Sequence, residues 1–222
     1  METEKIKLAE YIKELSITHV KFIKIGDEIL QANNQTMYLI DTLAISVINR
    51  TIQLTEGYVT LINANNYIAA IPLIRLQLDN ALRFFAFMQV SDPNDFFMYF
   101  MDGKPINRYK SHTGENLSDG FLAKKLDAVF PGVLRLYKEA SDYIHLSRQH
   151  VHASKHVDDQ GVNLTVVDVD KGLNAFSLEA KINFAYNMVE VGKLVLVVLD
   201  RWKQLKQSFP ELDKINTRSV IL

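Results

Sequence analysis

Cysteine is missing from the 222 residues, and that removes disulfides, thiolate nucleophiles and Cys-ligated zinc together. Glycine, at 9 residues, is too sparse for the turns that cradle nucleotide phosphates, and neither a phosphate-binding Gly-rich loop nor a nucleophile elbow occurs. Net charge is also nearly absent. Lys+Arg 25 against Asp+Glu 26 leaves −1, so no global field draws the chain to nucleic acid or to an anionic membrane. The longest uninterrupted aliphatic run, Leu194 to Leu199, is flanked by Lys193 and Asp200 and falls short of a membrane span. Met1 to Lys7 alternates acids and bases and does not read as a signal peptide. The expectation is a cytoplasmic protein with no membrane partner, no DNA-reading motif and no cofactor.

What is present is helical periodicity. Leu8, Ile12, Leu15, His19, Phe22, Gly26 and Ile29 recur at steps of three and four, predicting a helix from about Glu4 to Gln31. Beyond Asn33-Asn34 a second series runs from Ile40 through Leu61 to the break at Asn65-Asn66. A third helix is expected from Tyr67 to Gln89, with Pro72 in its first turn or kinking it, and Ser91-Asp92-Pro93 stops it. Residues 92–119 read as an irregular insertion with one short helix around Phe96 to Phe100. Ser118 is placed to cap a short helix ending near Phe130, and Pro131-Gly132 to start another reaching at least Ser147. The alternation Val162, Leu164, Val166 suits a short strand or hairpin, and Ser177 caps a last long helix running to about Lys206. The fold class is therefore all-α: one domain over 1–222, a bundle of four to five long helices.

Three groups of polar residues stand out. From Gln31 to Ile74 the only charges are Asp41, Arg50 and Glu56, so the second helix is expected to be buried in the bundle or against a second subunit of a homodimer. Arg75, Asp79 and Arg83 form a stripe at steps of four on an otherwise apolar third helix; Asp79 can bridge both arginines, and the three line either a ligand-binding cavity or a structural network. Finally, Tyr143 to His156 holds four of the six histidines. If its helix continues, Ser141, His145, Arg148 and His152 share a face, which suits metal-independent phosphodiester chemistry with a histidine base and Arg148 on the charged transition state. The alternative is a polar helix end, where basic side chains complement the helix dipole. Tyr143 joins Arg75, Asp79 and Arg83 as a candidate ligand contact. His152 and His156 have the spacing of two metal ligands, with Asp158 or Asp159 as third, but no recognised zinc motif is completed and no metal is expected. The same segment is only mildly basic, so it permits an RNA or protein partner without indicating one.

The stretches NNYIAAIPLIRLQLDNALR (Asn65 to Arg83) and YKEASDYIHLSRQH (from Tyr137) resemble a bacterial helical family of unknown function, in which one helix carries Arg, three residues, then Asp or Glu, and a later helix carries Tyr, Ser and His. The matching positions are Arg75 and Asp79, then Tyr137, Ser141 and His145. That family in turn is similar to the HEPN superfamily, whose active members are dimeric, metal-independent ribonucleases of toxin and phage-defence systems with a motif of Arg, four to six residues, then His. This chain departs from that motif: Arg148 is followed by His150, His152 and His156, with one, three and seven residues between. The resemblance implies a helical fold, with Arg148, His152 and His145 as the catalytic candidates. A non-catalytic interaction or small-anion-sensing module is the reading placed ahead of a HEPN-like ribonuclease.

Overall fold

The computed structural model describes residues 2–141, 155–157, 163–165 and 176–208, and they form an all-α protein. Among the described residues there are seven α-helices: α1 (Glu2–Gln31), α2 (Leu39–Asn63), α3 (Tyr67–Ala86), α4 (Pro93–Met101), α5 (Asp119–Asp127), α6 (Val133–Ser141) and α7 (Leu178–Ser208). Two three-residue strands, β1 (Lys155–Val157) and β2 (Asn163–Thr165), pair antiparallel with His156 opposite Leu164. Residue 156 therefore has strand backbone, and the helical spacing that would set His152 and His156 on one face does not extend to it.

Local chemistry explains most boundaries. Asn33, Asn34, Gln35 and Asn65 take positive φ, the left-handed conformation that asparagine tolerates best among side chains with a Cβ, and they separate α1 from α2 and α2 from α3. Asp92 caps α4 by accepting from the amides of Asn94 and Asp95, with Pro93 at the first helical position, where its missing N–H costs nothing. Ser118 caps α5 by accepting from the Phe121 amide at 3.3 Å. That helix ends at Asp127, short of Phe130, because the Asp127 carboxylate turns the chain by accepting from the amides of Gly132 and Leu134. Pro72 lies inside α3, beyond its first turn, and ends no helix.

Helix α3 is the centre of the molecule. It packs on α2, α5, α6 and α7, and of its residues only Ala69 is exposed. Helix α2, expected to be buried in the bundle or against a second subunit, packs on both α1 and α3 with ten buried residues and keeps an outward stripe of Thr42, Ser46, Asn49 and Gln53 in solvent. Helices α1 and α7 run side by side in the same direction, as the pairs Tyr11–Tyr186, Glu14–Lys193 and Glu28–Lys203 show. By length and composition α7 would suffice to cross a membrane; in this fold it is buried against α1 and α3. Glu190, Lys193, Asp200 and Lys203 form ion pairs along it, Lys193 and Lys203 also reaching Glu14 and Glu28 of α1.

One polar cluster ties this frame shut at its end. Lys206 and Asp41 are both fully buried, with Nζ donating at 2.8 Å to the carboxylate and at 2.7 Å to the Ile29 carbonyl. The Trp202 indole N–H and the Tyr38 amide, each at 2.9 Å, complete the carboxylate's partners. Thus the lone charge near the start of α2 is neutralised by the last turn of α7, as burial of a charge demands.

Candidate functional site

The stripe predicted on α3 folds into a larger ion network. Asp79 lies 3.1 Å from Arg83 Nε, 3.8 Å from Arg75 Nη1 and 3.3 Å from Arg50 Nη1 of α2, so it does bridge the two arginines of its own helix and reaches a third. The stronger bridge comes from elsewhere. Asp119, at the start of α5, accepts a hydrogen bond from Arg75 Nη2 at 2.8 Å and forms an ion pair with Arg83 Nη2 at 2.8 Å. Arg50 also donates to Asn80 Oδ1, and Asn80 passes hydrogen bonds on to Thr51 at 3.0 Å and Gln77 at 3.1 Å inside the α2–α3 interface.

Three arginines against two carboxylates leave the network one positive charge in excess. Its donor capacity is also unspent: the buried Nε of Arg75 finds no acceptor among the described residues. The guanidinium of Arg75 lies 4.9 Å from the centre of the Tyr137 ring on α6, a cation–π contact in a largely desolvated setting. That contact brings together Arg75 and Tyr137, one from each of the two motif stretches.

Beside the network is an open concavity of about 620 Å3, lined among others by Arg83, Asp119, Ser118, Lys104, Phe100 and Tyr137. Lys104 donates to Asp102 at 2.8 Å, and this hydrogen bond holds its ammonium above the usual lysine range. With Arg83, Lys104 and the amino end of α5 all lining it, the cleft is suited to a small anion. The described side chains offer no nucleophile paired with a base there, and among the described residues no group of His, Asp or Glu is arranged to hold a metal ion.

Of the other candidates, Tyr143, His145, Arg148 and His152 lie outside the described residues, as do Asp158 and Asp159. Ser141, the last residue of α6, donates back to the Tyr137 carbonyl at 2.6 Å. Asp119 and Lys104 were not singled out by sequence reasoning. Asp119 carries a local signal, an acid just after a serine cap, but that reads as helix-dipole chemistry; its partner Arg75 is 44 positions away and no linear pattern links them.

The fold and network define an all-α protein with an arginine–aspartate cluster at its central helix. Comparison with protein-family models, with curated proteins and with solved structures finds no match to this chain.

Proposed function

We propose that this chain is a non-catalytic, cytoplasmic interaction module that recognises a small anion and acts as a homodimer, its four long helices forming the bundle that carries the site. The observation that supports the anion reading is the charge imbalance around Asp119: Arg50, Arg75 and Arg83 outnumber Asp79 and Asp119, and Arg83 borders an open concavity with Lys104. Arg75, its side chain 10% exposed and its Nε without an acceptor among the described residues, is the desolvated guanidinium for which missing acceptors cost free energy, whereas Arg50 is 44% exposed. An anion seated against Arg83 supplies the missing negative charge.

The test is isothermal titration of the purified protein with inorganic phosphate and with sulfate in chloride buffer. Phosphate binding that weakens at least about tenfold in Arg83→Met, the loss of one charge-assisted pair, supports the reading. Absence of any heat with either anion overturns it. The ribonuclease alternative is tested in the same preparation by incubation with cellular RNA in EDTA: cleavage by wild type and not by an Arg148→Ala/His152→Ala variant would replace the module with an enzyme.

A further inference from the structure

Helix α1 buries one face against α2 and α7 and, among the described residues, leaves another without a partner. Ile17, Val20 and Ile23 on that outer face are 54%, 59% and 54% exposed, three consecutive outward apolar side chains on one stretch of helix. At 100° per residue they lie within 60° of the direction of Val20, together with Lys13, Ser16, Lys24 and Asp27. These seven positions are symmetric about Val20. Ile17 and Ile23 lie three residues before and after it, and Lys13 and Asp27 seven before and after. Lys13 and Asp27 are exposed, and neither makes an ion pair among the described residues; Lys24 is held by Glu28 at 3.8 Å, and the Ser16 hydroxyl donates back to Ile12.

We propose that this face binds a second copy of the chain, α1 against α1, antiparallel about a two-fold axis at Val20. In that register Val20 meets Val20 and Ile17 meets the partner's Ile23, while Lys13 meets the partner's Asp27 twice over by symmetry. The pattern is complementary only to itself reversed: a parallel pairing would set Lys13 against Lys13 and Asp27 against Asp27. An apolar centre flanked by two ion pairs at the rim is the anatomy of an interface core and its surround.

The size of the face fixes the strength expected. Pairing about Val20 sets residue 31 against residue 9 of the other copy, so 23 residues of each α1 overlap over about 35 Å, and with a contact width of about 10 Å each copy covers about 350 Å2. The total of about 700 Å2 lies below the range of stable interfaces, so the dimer is a weak and reversible one. This inference rests on the homodimeric reading above and gives it a surface; it is independent of the anion.

Sedimentation equilibrium from low to high micromolar protein tests it, with circular dichroism confirming that each variant is folded, as exposed positions on α1 allow. The wild type is expected to pass from monomer to dimer. Val20→Asp, which sets two carboxylates against each other at the axis, shifts the midpoint upward at least about tenfold. Lys13→Asp and Asp27→Lys each weaken association, and the double swap Lys13→Asp/Asp27→Lys restores it to within about threefold of wild type, because the reversed ion pair is regenerated. A Val20→Asp variant that dimerises as well as wild type overturns this face while leaving the homodimer standing. A wild type that stays monomeric throughout overturns both.

Discussion

Replacing Asp119 by Asn keeps the shape of the network and removes the charge that joins its two best-placed arginines. The wild-type carboxylate accepts one charge-assisted hydrogen bond of 2.8 Å from Arg75 and makes an ion pair of 2.8 Å with Arg83. Such a bond contributes about 1.5–3 kcal/mol where buried and the ion pair up to about 1 kcal/mol, and Asp119, about a quarter exposed, warrants roughly half of that sum, or about 1–2 kcal/mol. For a domain of this length that is about 2–8 °C in melting temperature. A second signature separates this cause from a generic packing loss. Without Asp119 the network holds Arg50, Arg75 and Arg83 against Asp79 alone, so added phosphate should raise the melting temperature of Asp119→Asn more than that of wild type. Differential scanning calorimetry with and without phosphate, at constant ionic strength, reads both effects. A loss below about 1 kcal/mol would refute the energetic argument, and equal phosphate responses in the two proteins would refute the reading that an anion answers the network's excess positive charge.

Two further outcomes follow from buried or bonded polar groups. Lys206→Met strands a fully buried Asp41 with only the Trp202 and Tyr38 N–H donors, and should cost about 3–5 kcal/mol in urea unfolding, with Asp41→Asn/Lys206→Met costing clearly less than the sum of its single variants. In alkaline titration Tyr109 should ionise late: burial, then the hydrogen bond of its hydroxyl to Asp95, push its pKa up to about 12, and burial raises Tyr58 and Tyr67 as well. Because the folded protein favours the neutral phenol, this contribution to stability is complete below the ordinary tyrosine pKa and is lost as pH rises through the raised value. Tyrosinate absorbance of the folded protein should accordingly plateau below nine residues until unfolding releases the remainder.

Periodicity and turn chemistry are properties of neighbouring residues, and so they were legible in the sequence. Of the repeat from Leu8 to Ile29, Leu15, Phe22, Gly26 and Ile29 form the inward face of α1 while His19 turns to solvent; the asparagines at 33, 34 and 65 break the chain where left-handed backbone is needed, and Ser118 caps α5. The stripe Arg75, Asp79, Arg83 was visible too, since steps of four place side chains together on any helix. What the linear chain could not specify were meetings between helices. A lack of charge suggests burial without saying against what, and so α3, with its three charges, occupies the centre while α2 shows a polar uncharged stripe to solvent. Asp119 joins Arg75, and Lys206 joins Asp41, only because packing brings α5 onto α3 and the last turn of α7 beside the start of α2. The sequence determined which segments are helices and which of their faces turn inward, because those depend on local sterics and spacing. The tertiary structure alone decided which charges neutralise one another, because a buried charge takes whatever partner the packing brings within reach.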